Sequence, residues 1–240
     1  MISHDVTSLS EGNDAVAAAT LRVNVIADLV CPWSYVGKRR LEKALAAVRG
    51  PSIVNWTPFQ LNPDMPLAGM GMEEYLSSRF GTVDAIRPGL DELTRVGAGE
   101  GVNFRFDRVS RVPNTLNAHR MVMYAESQGV ATTEITESLM KGFFTDGLDI
   151  SDRDVLLGVG RSHALEQKDL IRMLDDDESL NRVRASEARV RRSGVTGVPD
   201  FLVNDRLFVV GAQPSDALVD VFDRAMFGAE SDLPLEGSVH

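Results

Sequence analysis

The chain has one cysteine, Cys31, in the run Cys31-Pro32-Trp33-Ser34. A β-branched segment precedes it and apolar residues at helical spacing follow it, which predicts a strand, a tight turn and a helix starting near Pro32. A cysteine at a helix start faces unpaired backbone N–H groups and the positive end of the helix dipole, and both favour the thiolate. We therefore predict a nucleophile with a pKa below the roughly 8.5 of a free thiol, in preference to a buried structural thiol.

The residues that follow Cys31 suit such a site. Pro32 fits the first helical position, where its missing N–H costs nothing. Trp33 is expected to be exposed and to offer a flat apolar surface to a substrate. The Ser34 hydroxyl can reach the Cys31 sulfur or a substrate sulfur, although a local backbone hydrogen bond explains a first-turn serine equally well. A single cysteine excludes an internal disulfide and a cysteine-based zinc site, so thiol chemistry has to be intermolecular.

Composition narrows the choice of partners. The 240 residues are 43% hydrophobic and 25% charged, as in an ordinary globular protein. A formal net charge of -10 disfavours nucleic acid and anionic membranes, which leaves small molecules or proteins. Residues 1–20 lack the features of a secretory signal, and no apolar run is long enough to span a membrane. We expect a cytoplasmic protein with a mobile tail over residues 1–20 and a second tail over residues 229–240.

The hydrophobic pattern divides the chain into three parts. Strands over 21–28 and 52–59 flank the helix that begins at Pro32, which predicts a parallel βαβ unit. A hairpin with its turn at Asn204-Asp205 and a final helix capped by Ser215 make a ββα unit at the far end. Between them the pattern is helical over 72–80, 83–96, 115–128, 133–144, 152–163 and 167–192, with a break near 175–178.

Five motifs occur in the same order as in a known family. The chain resembles the FrnE-like branch of the DsbA family, which is related to 2-hydroxychromene-2-carboxylate isomerases and kappa-class glutathione transferases. The motifs are Asp28-Leu29-Val30-Cys31-Pro32-Trp33-Ser34-Tyr35-Val36-Gly37-Lys38, Phe59-Gln60-Leu61-Asn62-Pro63, Asn114-Thr115-Leu116-Asn117-Ala118-His119-Arg120, Gly194-Val195-Thr196-Gly197-Val198-Pro199 and Gly211-Ala212-Gln213.

The resemblance implies an α/β fold, namely a thioredoxin fold (βαβ…ββα) with a large all-helical insertion. Residues 21–70 and 194–228 would form the thioredoxin-like domain, and residues 71–193 the insertion. It also implies a cis peptide bond at Val198-Pro199, facing the Cys31 turn, whose backbone groups could pair with an extended thiol peptide.

Other polar residues are candidate substrate ligands. The resemblance places His119 in the insertion and facing the cleft, where an imidazole could act as acid, base or donor, although a structural histidine is the commoner case. Gln60 and Asn62, in the loop after the second strand, could bind a polar substrate through their amides. Lys38 is expected to be solvated. We predict no metal site and no tightly bound cofactor, with glutathione as a co-substrate.

The chain departs from the family at Ser34, where dithiol members have the second cysteine of Cys-Pro-x-Cys. Three functions remain open. The favoured one is a monothiol thiol-disulfide oxidoreductase in which glutathione resolves a mixed disulfide at Cys31. The second is a glutathione-dependent transferase or isomerase in which Ser34 or Cys31 activates glutathione, with an apolar second pocket formed by Phe104, Phe106, Met121 and Met123. The third is a non-catalytic binding protein. The partners would be small thiols or disulfides, a disulfide-bearing protein, or a second copy in a homodimer.

Overall fold

The computed structural model describes residues 20–228, so the predicted tails lie outside the described residues apart from Thr20. Strand β1 spans Leu21–Ala27, helix α1 spans Pro32–Ala47 and strand β2 spans Ser52–Pro58. β1 and β2 run parallel. The predicted strand-helix-strand unit is confirmed, and it places the end of β1 just before the turn that starts α1.

Most of the chain between the two halves of the sheet is helical. The predicted helices are confirmed to within about three residues at each end, a normal disagreement for helix boundaries. In chain order the elements are strand β3 (Met70–Gly71), helices α2 (Met72–Phe80) and α3 (Val83–Gly99), a 3-10 turn (Phe106–Arg108), strand β4 (Arg111–Val112), helices α4 (Leu116–Ser127) and α5 (Thr132–Lys141), a π-helical turn (Gly142–Asp146), and helices α6 (Arg153–Ser162), α7 (Gln167–Asp175) and α8 (Asp177–Arg192).

The insertion is therefore not entirely helical, which corrects one detail of the prediction. β3 and β4 pair in an antiparallel ladder with Met70 opposite Val112. Two strands of two residues each are too short to show a period-2 pattern, which explains why the sequence did not indicate them.

Strands β5 (Asp200–Val203) and β6 (Leu207–Val210) form the predicted hairpin, and helix α9 (Ser215–Phe227) follows. Three residues separate the strands, because Val203 pairs with Leu207. Asn204 and Asp205 both have positive φ within a turn that the Arg206 N–H closes by donating to the Val203 carbonyl oxygen at 3.1 Å. Ser215 is the first helical residue and not the cap, because Pro214 occupies the capping position with an extended backbone.

The four long strands form one sheet in the order β2-β1-β5-β6. β1 is central: it pairs in parallel with β2 and in antiparallel with β5. α1 packs against α9, while α4, α5 and α8 of the insertion pack against β2. One hydrophobic cluster runs from Val23 and Phe201 in the sheet to Met121 and Ile135 in the insertion. Within residues 20–228, no helix is both long enough and apolar enough to cross a membrane.

Candidate active site at the start of the first helix

Cys31 occupies the N-cap of α1, with an extended backbone, and Pro32 is the first helical residue. The Cys31 N–H donates to the carbonyl oxygen of Asp28 at 3.2 Å, which closes the turn between β1 and α1. The predicted position of the cysteine at the helix start is confirmed. The side chain is buried, however, and Cys31 is only 4% exposed.

The Val198-Pro199 peptide bond is cis, as predicted, and its loop lies against the Cys31 turn. The Cys31 thiol donates to the carbonyl oxygen of Val198, with a sulfur-oxygen distance of 3.5 Å. Gly37 allows this close approach, because a Cβ atom there would lie 2.9 Å from Pro199 Cγ and 3.2 Å from Phe201 Cζ. The N-terminal and C-terminal parts of the thioredoxin-like region therefore contact each other at the Cys31 sulfur.

Burial decides the ionisation of Cys31 in this closed site. It raises the pKa of the thiol to about 11, and the negative charge of Asp28 acts in the same direction. The Ser34 hydroxyl and the backbone N–H groups of Ser34 and Trp33 lower the pKa but do not offset burial. The expected thiolate at neutral pH is thus wrong for the closed site. The Val198-Pro199 loop was expected to face the Cys31 turn, but the burial of the sulfur was not expected.

Trp33 and Ser34 differ sharply in their surroundings. Trp33 is 40% exposed, so its predicted exposure is confirmed. Ser34 is buried, and its hydroxyl has no hydrogen-bond partner of good geometry, although it lies near enough to the sulfur to lower the Cys31 pKa. An unpaired buried hydroxyl is costly to stability, which makes Ser34 more than an ordinary first-turn serine.

Sequence reasoning missed the part that Asp28 takes in this site. Asp28 and His119 are both buried, and Asp28 Oδ1 lies 3.3 Å from His119 Nε2. Asp28 Oδ2 accepts a 2.7 Å hydrogen bond from the Leu61 N–H. His119 was expected to face the cleft, but it is 0% exposed. The available signal was an acid at the end of the otherwise apolar run Val25-Ile26-Ala27-Asp28-Leu29.

The two predicted amide ligands are bonded to protein groups. Gln60 is buried, and its Nε2 lies 3.4 Å from Thr115 Oγ1 and 3.5 Å from Asn114 Oδ1. The Asn62 amide lies 3.3 Å from the Tyr75 hydroxyl. Both residues connect the loop after β2 to the insertion, and their binding of a substrate stays a prediction.

Lys38 is not solvated, which corrects another expectation. Its side chain is 2% exposed, and its ammonium group pairs with Glu42 and, at 2.7 Å, with Glu137 of α5. Glu137 also accepts a 2.7 Å hydrogen bond from the Tyr35 hydroxyl. Burial alone would raise the pKa of the Glu137 carboxyl, but the bond and charge of Lys38 outweigh it, so this pKa is lowered. This cluster, in which Lys38 is buried and the two glutamates are partly exposed, joins α1 to the insertion.

The four residues expected to form an apolar second pocket do not line one cavity together. Phe106 lines a cavity of the insertion with Met72, Leu76 and Leu90. Phe104 is buried and stacks on Phe106 with ring centroids 5.2 Å apart, and Met121 lies in the core. Met123 lines a different, polar cavity beside Arg120. Phe104 and Met121 therefore belong to the core and not to the wall of a substrate pocket. Within residues 20–228, no three His, Cys, Asp or Glu side chains converge as metal ligands would.

A cysteine at a helix N-cap, a cis-proline loop against its sulfur and a helical insertion in a βαβ…ββα sheet define a thioredoxin-fold protein of the DsbA type. The family of DSBA-like thioredoxin domains matches residues 22–223, and the chain belongs to this family. The suspected DsbA relationship is confirmed.

Individual proteins agree with this membership. A crystal structure of a probable DsbA oxidoreductase from Streptomyces coelicolor superposes with a TM-score of 0.80 at 29% identity, covering 90% of this chain and 93% of that one. The uncharacterized protein YwbO of Bacillus subtilis is 26% identical over 209 residues, 86% of this chain and 96% of its own. The cytosolic disulfide reductase DsbM from Pseudomonas aeruginosa, solved with GSH, shares the fold with a TM-score of 0.61 at 21% identity, covering 85% of this chain and 99% of that one.

Proposed function

We propose that this protein is a monothiol thiol-disulfide oxidoreductase that uses Cys31 and is resolved by glutathione. The observation that carries the proposal is the 3.5 Å contact between the Cys31 sulfur and the Val198 carbonyl beside the cis proline, at the start of α1. This is the one thiol of the chain, and it lies where an extended peptide could pair with the backbone of Val198.

The closed site protects the thiol until a substrate arrives. The Val198 carbonyl accepts the S–H proton, and the same carbonyl could instead accept the backbone N–H of an arriving peptide. When a substrate takes that acceptor, the thiol loses its partner and the α1 N–H groups remain to stabilise a thiolate. The exposed Trp33 ring offers an apolar surface beside the sulfur.

The exchange balances without a further oxidant. The Cys31 thiolate attacks one sulfur of a disulfide R–S–S–R′, the S–S bond breaks, and R′S⁻ leaves and takes a proton. A glutathione thiolate then attacks the R sulfur of the mixed disulfide, so that Cys31 leaves as thiolate and a glutathione mixed disulfide is released. The net reaction converts one disulfide and one glutathione into one thiol and another disulfide.

Glutathione and a cytoplasmic location belong to the same proposal. DsbM, which shares this fold, is described as cytosolic and was solved with GSH. A cytosolic glutathione pool would supply the resolving thiol that Ser34 cannot provide. The substrate would be a small-molecule or protein disulfide, and the net charge of -10 disfavours nucleic acid.

The test is covalent capture followed by turnover. The native protein is incubated with oxidised glutathione and its intact mass is measured; we expect one adduct, at Cys31. Reduced glutathione should remove it. With a model disulfide, a second glutathione converts the released mixed disulfide into a thiol and glutathione disulfide, and the latter is measured with glutathione reductase and NADPH. Cys31→Ser should show neither adduct nor turnover. A Cys31 that reacts only after unfolding would contradict the proposal.

Ser34 favours a second candidate function. Its buried hydroxyl lacks a partner of good geometry beside the sulfur, as would suit a donor to the sulfur of bound glutathione. In that case the protein would transfer glutathione to an organic electrophile or isomerise a glutathione-bound substrate. Phe104 and Met121, two of the residues expected to line an apolar second pocket, are buried in the core instead, which makes this the weaker candidate.

Two variants separate the candidates. With 1-chloro-2,4-dinitrobenzene and glutathione as probes, a transferase should keep its activity in Cys31→Ser and lose it in Ser34→Ala. A monothiol oxidoreductase should lose disulfide turnover completely in Cys31→Ser. In Ser34→Ala it should only become slower, because loss of the hydroxyl raises the Cys31 pKa.

A further inference from the structure

The buried Asp28-His119 pair lies directly beneath the Cys31 turn. The Asp28 carbonyl accepts the Cys31 N–H, while its carboxylate contacts Leu61 after β2 and His119 on α4. Asp28 thus connects the turn, the neighbouring loop and the insertion through one residue. Both partners are at least 99% buried, so their charges act on the site with little screening by solvent.

Hydrogen bonding fixes which imidazole nitrogen carries the proton. A carboxylate only accepts hydrogen bonds, so neutral His119 carries its proton on Nε2, the nitrogen 3.3 Å from Asp28. Nδ1 is then a lone-pair acceptor, and it is buried without a hydrogen-bond partner in the described part of the chain. In this tautomer the Asp28-His119 pair contains one nitrogen with an unused lone pair.

Charge balance links this acceptor to the thiol. With Cys31 protonated and His119 neutral, Asp28 gives the buried group a net charge of -1. Ionising Cys31 alone would place two negative charges in a region from which water is excluded, a costly arrangement. Ionising Cys31 while Nδ1 takes a proton keeps the net charge at -1, because the imidazolium neutralises Asp28.

Asp200, beside the cis proline on β5, is also buried, and its carboxylate accepts a hydrogen bond from the Gly211 N–H. Three other charged side chains on the surrounding elements have charged or polar partners. These are Glu187 with Arg191 on α8, Arg120 with the Ser179 hydroxyl, and Lys38 with Glu137. Asp28 is the charged residue that acts on Cys31 across the turn.

We propose that Asp28 and His119 hold the proton that Cys31 gives up, with Asp28 as the positioning residue that leaves His119 Nδ1 free to accept it. In this step the Cys31 S–H bond breaks and an Nδ1–H bond forms, directly or by exchange with water when the site opens. Resolution of the mixed disulfide returns the thiolate, and the same proton reforms the thiol. The inference rests on the proposed role of Cys31 as the reacting group.

The first test is the pH profile of Cys31 alkylation by iodoacetamide, followed by mass spectrometry. His119→Gln keeps a donor to Asp28 but removes the acceptor, so we expect its reactivity midpoint to move to higher pH. A midpoint higher by about one pH unit corresponds to a rate about tenfold lower near neutrality. Asp28→Asn keeps an acceptor for Leu61 and removes the negative charge, so we expect its midpoint to move to lower pH.

The double variant tests the linkage itself. In the Asp28→Asn background there is no carboxylate to neutralise, so adding His119→Gln should change the profile little. Equal effects of His119→Gln in both backgrounds, or unchanged midpoints in the single variants, would overturn the proposal. A purely structural pair would lower stability, measured by urea unfolding, without moving the midpoint.

A second measurement needs no change to the pair. The His119 ring resonances are followed by NMR against pH in the wild type and in Cys31→Ser. We expect the midpoint to be lower in Cys31→Ser, because no thiolate forms to favour the imidazolium; identical titrations would overturn the linkage. Alkylation and NMR involve no disulfide, so the linkage and the proposed turnover can fail separately.

Discussion

At the scale of single residues, burial has more influence on this site than position in the helix. Cys31 has the helix-start position that lowers a thiol pKa, yet exclusion of water raises that pKa. The same effect acts on Asp200, the residue after the cis proline. Asp200 is buried, and burial raises its pKa to about 6, while a hydrogen bond from the Gly211 N–H acts in the opposite direction.

Asp200→Asn should stabilise the protein at neutral pH. The folded pKa of Asp200 lies above its unfolded value, so its contribution to stability is complete below about pH 4 and is lost as pH rises through 6. An asparagine keeps the acceptor for Gly211 without the charge, so we expect a gain of about 1 to 3 kcal/mol near pH 7.5 and none near pH 4. Urea unfolding at both pH values measures this gain in the free energy of unfolding, with Asp64→Asn at an exposed position as the control. A gain of equal size at both pH values would refute the explanation.

Ser34→Cys should convert the monothiol site into a dithiol site. The Ser34 hydroxyl already lies near the sulfur, so the new thiol should resolve a mixed disulfide at Cys31 and remove the need for glutathione. Counting free thiols in the folded protein after mild oxidation should give none. The control variant Ser78→Cys, on the exposed side of α2, adds a thiol away from the site. Both thiols of this variant should remain free after the same oxidation. If both thiols of Ser34→Cys remained free after oxidation, the turn could not bring the two sulfurs together.

At the scale of elements, a close approach between α1 and the cis-proline loop shapes the site. Gly37 lies in the interior of α1, where alanine would normally be the better residue. The Pro199 ring occupies the space that a side chain at 37 would need. Glycine at position 37 makes α1 intrinsically less stable than alanine would, but it leaves room for the loop that covers Cys31.

Gly37→Ala should therefore destabilise the protein, although it improves helix propensity. Overpacking costs about 1 to 3 kcal/mol and the propensity gain returns about 1 kcal/mol, so we expect a net loss of about 1 kcal/mol. Cys31 alkylation should become faster, because the loop is displaced. Gly158→Ala is a matched control on α6, where a Cβ meets nothing within 4 Å and a gain of up to about 1 kcal/mol is expected. Thermal unfolding measures both, and equal gains in the two variants would contradict the packing argument.

At the scale of the whole molecule, apolar packing and an ion pair join the insertion to the thioredoxin-like region. They share a hydrophobic cluster, and the buried Lys38 connects α1 to Glu137 on α5. Removing one partner of such a pair leaves a buried charge insufficiently compensated.

Glu137→Gln should lower the free energy of unfolding by about 1 to 3 kcal/mol at neutral pH, less than for a fully isolated charge because Glu42 still pairs with Lys38. The Glu137 pKa is lowered, so its contribution to stability is present at neutral pH and is lost as the pH falls through this lowered pKa. The difference between wild type and variant should shrink there. Glu92→Gln, in an exposed pair with Arg95, should cause no measurable change. Urea unfolding of both variants at neutral and acid pH checks this prediction.

Local patterns made much of the fold predictable. Helical periodicity located the insertion helices, and Asn204-Asp205 located the hairpin turn. The motif at Cys31 indicated the turn, and the family resemblance indicated the cis proline. Burial was not predictable in the same way, because Lys38, Gln60 and His119 are polar residues whose partners lie far away in sequence. Only the folded structure shows that these side chains form hydrogen bonds or ion pairs with those partners inside the protein.

The placement of the two tryptophans has an optical consequence. Trp56 is 3% exposed in β2, whereas Trp33 is partly exposed and adjacent to the Cys31 turn. In a Trp56→Phe background, the remaining tryptophan fluorescence would come from the reactive turn alone. Opening of the Val198 loop, arrival of a ligand and formation of a disulfide at Cys31 should each change its intensity or wavelength. The molecule thus contains its own spectroscopic reporter, suited to stopped-flow kinetics without an added dye.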